Sequence, residues 1–356
     1  MPDDDILEEI LRQEERWDAP VAARWPAFVK TFLACALLFL ASGVALNLVV
    51  NPRGEFPAET LPPVPWEDAA YKVHLLGDRH PDVLVLGSSR MQKVDPKEVA
   101  RDANLTAFNF ALAGTQPEDS LRVYRGLVAR GVVPREVLVG LDVNRIEPHP
   151  AESNRTQYAF GPLHAPGATW LDVLGAGVRS YSFLYLRDSA VSLWHAAGLP
   201  ITQADEVTFE PDGLAHYVPW ETAEAAGTFD RNASITKAIG LGGYHPYAGL
   251  DPVQVASLQQ LVAEARSHGT TVRLVVTPVH HRLEAAYGTY AYPFARQAVV
   301  DLARSLCQPG VHAYNYTRVA AFGGLEEGFY DGVHYDAANA ARLVQGVYAG
   351  RGDLCA

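Results

Sequence analysis

The chain has 356 residues, 48% of them apolar and 20% charged, with a formal net charge of −12. That is ample core material for one large or two modest domains, and it excludes a disordered or collagen-like chain. Only Lys30, Lys72, Lys93, Lys97 and Lys237 are lysines, and no basic stripe is available to neutralise a phosphate backbone, so nucleic acid is not an expected partner.

Residues 5–17, DILEEILRQEERW, place Ile6, Leu7, Ile10, Leu11 and Trp17 near helical spacing and predict a short amphipathic helix. Thr31 to Val50 then runs without one charged side chain. At 1.5 Å per residue it is about 30 Å long, the thickness of a bilayer core, and predicts one transmembrane helix. The acidic residues Asp3, Asp4, Asp5, Glu8 and Glu9 precede it, which suits an uncleaved anchor better than a signal peptide. Arg12, Arg16, Arg24 and Lys30 lie before the span and only Arg53 lies shortly after it, so residues 1–30 are expected in the cytoplasm and the body outside it. Pro52, Pro57, Pro62, Pro63 and Pro65 favour extended chain and predict a linker over 51–66, leading into a domain at 67–356.

From residue 82 onward, apolar runs at 82–87, 106–112, 136–142, 271–277 and 311–316 read as strands. Helical patterns at about 96–103, 116–131, 252–268, 292–306 and 336–349 separate or follow them. The alternation predicts an α/β fold, a three-layer α/β/α sandwich with a mostly parallel five-stranded sheet, whose ligands bind at the carboxyl ends of the strands. Residues 143–250 break the rhythm. They are expected to form an insertion over that edge, a substrate lid with helices and strands of its own. Cys35 falls within the span, and Cys307 and Cys355 remain as a pair that either forms a disulfide pinning the C-terminal tail or stays as two free thiols.

Two short motifs carry chemistry. The first strand runs into Gly87-Ser88-Ser89-Arg90, which puts a hydroxyl at the carboxyl edge of the sheet. Near the other end, Asp331 stands three residues before His334, a spacing that lets a carboxylate hold Nδ1 while Nε2 faces a hydroxyl. Each motif also has an ordinary reading: a strand-end turn, a helix cap, a surface imidazole. Thr277-Pro278-Val279-His280-His281-Arg282 ends the fourth strand on the same edge, so His280 is a candidate for substrate contact, as are Arg90 and Arg145 beside the site. A metal site from His280, Asp331 and His334 is a minor reading, and Trp220, Tyr244 and Tyr247 serve either sugar stacking or core packing.

Together the two ends resemble the SGNH/GDSL hydrolase superfamily, over roughly residues 80–350 with 143–250 unmatched. The third position of Gly-Ser-Ser matches the serine of that family's Gly-Asp-Ser, which maps the nucleophile to Ser89. Asp331 and His334 map onto its Asp-x-x-His. The resemblance further implies an oxyanion hole from the backbone N–H of Ser89, that of Gly114 in NFALAGT, and the side chain of Asn144 in GLDVNR, with Asn109 as competitor. With the anchor, the chain is most similar to the membrane-anchored branch that includes the D-alanyl transfer protein of teichoic acid and the O-acetyltransferases of alginate and peptidoglycan. This similarity implies a bacterial cytoplasmic-membrane esterase or acyltransferase working on envelope or extracellular glycan through an acyl-serine, with no metal or organic cofactor. A separate multi-span membrane protein would deliver the acyl group. The alternatives are a catalytically inactive scaffold or glycan-binding protein of the same fold, and a plain secreted lipase.

Overall fold

The computed structural model describes residues 3–56, 61–66, 68–148, 156, 159–160, 168–199, 207–241 and 246–356. Seven strands occur among them: β1 Val83–Leu86, β2 Ala107–Asn109, β3 Glu136–Leu141, β4 Thr208–Phe209, β5 Ala215–His216, β6 Thr271–Val276 and β7 Val311–Asn315. Five form one parallel sheet in the order β2-β1-β3-β6-β7, and β4 and β5 form a separate antiparallel pair.

Strand side chains alternate between the two faces of the sheet, as the two-residue period requires. Leu84 and Leu86 of β1, Val137, Val139 and Leu141 of β3, and Val272, Leu274 and Val276 of β6 point into one core. There they meet helices α2 Asp68–Leu76, α4 Pro117–Ala129, α9 Pro252–Ser267 and α11 Tyr292–Ser305. Val83, Val85, Leu138, Val275 and Tyr314 point the other way, into a second core shared with α3 Pro96–Ala103 and α12 Ala337–Tyr348. Apolar residues on both faces explain why the strands read as continuous apolar runs rather than as alternating ones.

β2 lies on one side of β1 and β3 on the other. The chain therefore reverses its winding direction between β1 and β3, which opens a crevice at their carboxyl ends. Ser88 and Ser89 follow β1 there, and Asp142 and Asn144 follow β3.

The amino terminus is one 48-residue helix, α1 Asp3–Val50, which joins the amphipathic segment to the apolar run. Its stretch Trp25–Val50 is long and apolar enough to cross a membrane. The residues read as a linker are, where described, mostly packed rather than a free spacer. Asn51 Nδ2 donates to Phe56 O at 2.7 Å, Val64 N to Pro52 O at 2.8 Å, and Arg53 pairs with Asp188 at 2.7 Å.

Within the expected insertion lie α5 Trp170–Ser180, α6 Phe183–Ala196, the β4–β5 pair, α7 Val218–Ala225 and α8 Arg231–Leu241. The β4–β5 turn is seated on the sheet edge: Asn109 N donates to Asp212 O at 2.9 Å and Ala215 N to Gln92 O at 3.1 Å. Gly213 sits at φ +87°, and a Cβ there would stand 2.1 Å from Asn109 O, so only glycine permits this approach. The C-terminal tail is closed by a disulfide between Cys307 and Cys355, whose Cα atoms are 5.4 Å apart.

Candidate active site

Two serines leave β1 and the fold gives them different surroundings. Gly87 has φ +129°, and a Cβ on it would meet Met91 Cγ at 2.9 Å and Gly140 N at 3.1 Å, so the chain turns tightly here only as glycine. Ser88 is buried, caps the following turn by accepting from Arg90 N at 3.2 Å, and donates its hydroxyl hydrogen to the Asp142 carboxylate. Ser89 is half-buried and starts the 3₁₀ turn Ser89–Met91. Its Oγ lies 2.8 Å from His334 Nε2.

His334 is held from behind. Its Nδ1 lies 2.8 Å from Asp331 Oδ2, while Asp331 Oδ1 accepts the backbone N–H of His334 at 2.9 Å and of Val333 at 3.0 Å. Burial raises the Asp331 pKa, but the hydrogen bond and charge of His334 with the two N–H groups outweigh it, leaving the carboxyl below its ordinary value. The acid is therefore ionised near neutral pH and keeps the proton of a neutral ring on Nδ1. That leaves the Nε2 lone pair for the Ser89 hydroxyl, the arrangement that makes a serine nucleophilic. Ser89, Asp331 and His334, predicted from the two ends of the sequence, are thus brought together.

The flanking residues divide. The loop carrying Gly114 is tied to the turn that carries Ser88 and Ser89, with Leu112 N and Thr115 Oγ1 both donating to Gly87 O at 2.9 Å. Asn144 lies on the 3₁₀ turn Val143–Arg145, and its Oδ1 accepts from Arg90 Nη2 at 3.2 Å, which directs its amide hydrogens away from Arg90. Asn109 is occupied: its Nδ2 donates to Met91 O, Val94 O and Gln92 O at 2.8, 2.7 and 3.3 Å, and its Oδ1 accepts Ala111 N at 2.9 Å. It is fully buried and has no donor left for a ligand. Arg145, on the same turn as Asn144, is half-buried.

Arg90 and His280 are not where substrate contact would need them. Arg90 is buried, with Nε 3.5 Å from Asp142 Oδ2 and Nη1 donating to Thr277 Oγ1 at 3.2 Å. Burial opposes its charge, but Asp142 together with Tyr292, Tyr287 and Asp331 outweighs it and raises the guanidinium pKa. It is an internal counter-ion that orients Asn144. His280 is likewise buried; its N–H donates to Gly332 O at 2.8 Å and its Nδ1 accepts Arg282 N at 3.2 Å, capping α10 His281–Tyr287. It supports the loop that carries Asp331 and His334.

His280, His281 and Glu326 do bring donor atoms within 4.8 Å of one another. Because His280 Nδ1 accepts a backbone N–H, the proton of its neutral ring is on Nε2, facing Glu326 at 3.5 Å. A protonated nitrogen is no metal ligand, and the trio is better described as a hydrogen-bonded cap.

The insertion supplies a wall that motif spacing could not show. Tyr217 OH donates to Ser89 O at 2.7 Å, and its ring lies 5.5 Å from that of His334. Trp220 is also 5.5 Å from His334 and stacks on Tyr330 at 5.1 Å. Glu221 fixes this wall by binding Lys93 at 2.7 Å, His216 at 2.8 Å and Tyr217 N at 2.8 Å. Tyr247 packs against the larger core, and Tyr244 lies outside the described residues. Asp142, Thr277 and Tyr217 were missed at the sequence level; the one signal was that Asp142 and Thr277 end strands on the same edge as Ser89.

No protein-family model matches the chain, and no curated protein does.

Proposed function

We propose that the protein is a membrane-anchored serine acyltransferase or esterase whose body lies outside the cytoplasm and whose substrate is an envelope or extracellular glycan. The observation that carries this reading is the hydrogen-bonded series Ser89 Oγ, His334 Nε2, His334 Nδ1 and Asp331 Oδ2, with both links at 2.8 Å. It is also the arrangement that the resemblance to SGNH hydrolases implies for a three-layer α/β/α domain.

In this reading Ser89 Oγ attacks an acyl carbonyl carbon while His334 Nε2 takes its proton and Asp331 stabilises the imidazolium. The carbonyl oxygen becomes an oxyanion held by the backbone N–H of Ser89 and of Gly114 and by the Asn144 amide. Collapse breaks the bond to the leaving alcohol, which takes the proton from His334, and leaves an acyl-serine. A sugar hydroxyl or water, deprotonated by His334, then attacks that ester and restores Ser89. Trp220, half-buried beside His334, supports a sugar acceptor as part of an aromatic wall with Tyr217 and Tyr330. The excess of Lys and Arg before the span supports a cytoplasmic amino terminus, and the family resemblance supports a bacterial membrane. Transfer from a cytoplasmic donor would require a multi-span partner, because one helix carries no acyl group across.

The test is labelling of the full-length protein with a fluorophosphonate, mapped by peptide mass spectrometry, beside Ser89→Ala and His334→Ala. The expected result is one adduct, on Ser89, lost in both variants. A folded protein that takes no adduct would refute the catalytic reading and favour a non-catalytic scaffold.

A further inference from the structure

Helix α6 has its polarity reversed. Its buried side chains are Tyr185, Asp188, Ser189 and Ser192, spaced so that they form one stripe. This polar stripe grips the end of α1 and the segment after it. Ser189 Oγ donates to Asn47 Oδ1 at 2.7 Å, Asp188 pairs with Arg53 at 2.7 Å, and Ser192 Oγ donates to Pro62 O at 2.5 Å. The outward side carries exposed apolar side chains, Phe183 at 82%, Leu184 and Trp194 at 54% each and Leu193 at 43%, and its one cation, Arg187 between Phe183 and Trp194, turns its guanidinium back onto Asp188 at 2.7 Å. A helix on a water-facing surface has the reverse pattern.

The depth of this helix follows from α1. A Cβ at Gly43 would stand 3.7 Å from both Leu186 Cδ2 and Tyr181 Cε2, so the turn between α5 and α6 touches α1 seven residues before its end. That is about 10 Å back along the helix axis, inside the apolar run. Asn47, a fully buried amide in that run, is satisfied by the same hairpin, its Nδ2 donating to Ser180 O at 2.6 Å. A polar side chain at that depth needs such partners because lipid provides none.

We propose that the α5–α6 hairpin is a second membrane-contacting element, with its turn and the outer face of α6 immersed in the lipid leaflet on the domain's side. The occupant of this face is lipid, because its amino-terminal end, with Phe183 and Leu184, lies level with Gly43 in the apolar run of α1, where Leu38, Phe39 and Leu40 are exposed as well, and its outer end carries Trp194, a residue typical of the membrane interface. Span and hairpin together then hold the domain at a set orientation to the bilayer. The inference rests on the reading of α1 as a membrane span and is independent of the chemistry at Ser89.

The test uses the full chain with the exposed free thiol removed by Cys35→Ser and the Cys307–Cys355 disulfide retained. It is reconstituted in vesicles of phosphatidylethanolamine and phosphatidylglycerol. A nitroxide is placed by Phe183→Cys and, in a second variant, by Leu193→Cys. Leu38→Cys on α1 is the lipid control and Phe294→Cys on α11 the water control, at positions 69% and 72% exposed. Power-saturation measurements compare accessibility to oxygen with that to a water-soluble nickel complex. The expected result is an oxygen-to-nickel ratio at 183 and 193 several-fold above that at 294, higher at 183 than at 193 and highest at 38. A ratio matching position 294 would overturn the proposal, and so would protection from both reagents, which would mean that protein covers the face. Nickel access at position 38 would overturn the span reading itself, and the inference with it.

Discussion

Replacing Asp331 by Asn changes one group, and the structure sets bounds on the result. Asp331 Oδ1 accepts two backbone N–H groups, and Oδ2 is 2.8 Å from His334 Nδ1. An Asn oxygen can keep the first pair of bonds only if its NH₂ faces Nδ1. The ring must then carry its proton on Nε2, where it cannot accept one from Ser89. Rotating the amide to restore the useful tautomer forfeits both backbone bonds, at about 1 kcal/mol each, so about one molecule in 30 retains it. The loss should therefore lie between about 30-fold and the roughly 10⁴-fold known for a wrong-tautomer triad, which is a barrier of about 2 to 5.4 kcal/mol. The assay is the second-order rate of fluorophosphonate labelling at Ser89, with thermal unfolding as the check on folding. A folded Asn variant that labels within about threefold of the parent would refute the assignment of Asp331 as the group that orients His334.

Asn144→Ala should cost about 2.7 to 4 kcal/mol of transition-state stabilisation in acyl transfer with little change in unfolding temperature. Asn109→Ala, which takes one bond each from Met91 O, Gln92 O and Val94 O and removes the acceptor of the Ala111 N–H, should instead destabilise the fold by about 3 kcal/mol in a denaturant titration. If the two variants exchange these signatures, the oxyanion assignment is wrong. Cys355→Ser opens a 48-residue loop and should lower unfolding free energy by about 4 kcal/mol in the chain-entropy model; an unchanged denaturation midpoint would show that the tail is held without the bond. Lys72 is buried with its Nζ donating to Ala111 O at 2.7 Å and Asn109 O at 3.0 Å. Burial, only partly offset by Asp68 and Asp212, lowers its pKa from 10.5 to about 7. Between those values the unfolded chain holds the proton and the folded one does not, so stability should rise from pH 7 to 9.5 relative to Lys72→Met. Parallel stability curves for the two proteins would contradict that shift.

The long apolar run, the strand and helix alternation, and the two motifs at Ser89 and at Asp331 and His334 were legible because each depends on neighbours in the chain. A helix or strand is encoded by a period of a few residues, and an anchor by an uninterrupted apolar length. What the tertiary structure decided depends on contacts between distant positions. Ser89 and His334 are 245 residues apart, and only the fold shows that Ser89 meets His334 while Ser88 meets Asp142. Arg90 reads in sequence as a candidate substrate contact, and only the fold puts Asp142 beside it, because charge pairing is a property of space rather than of spacing. Asn109 and Asn144 were rivals in sequence and are separated by their hydrogen bonds, four on the first and an Arg90-held amide on the second. The α5–α6 hairpin shows the same limit from the other side. Its residues alternate polar and apolar as any amphipathic helix does, and which face is inside follows only from where Asn47 and Arg53 stand.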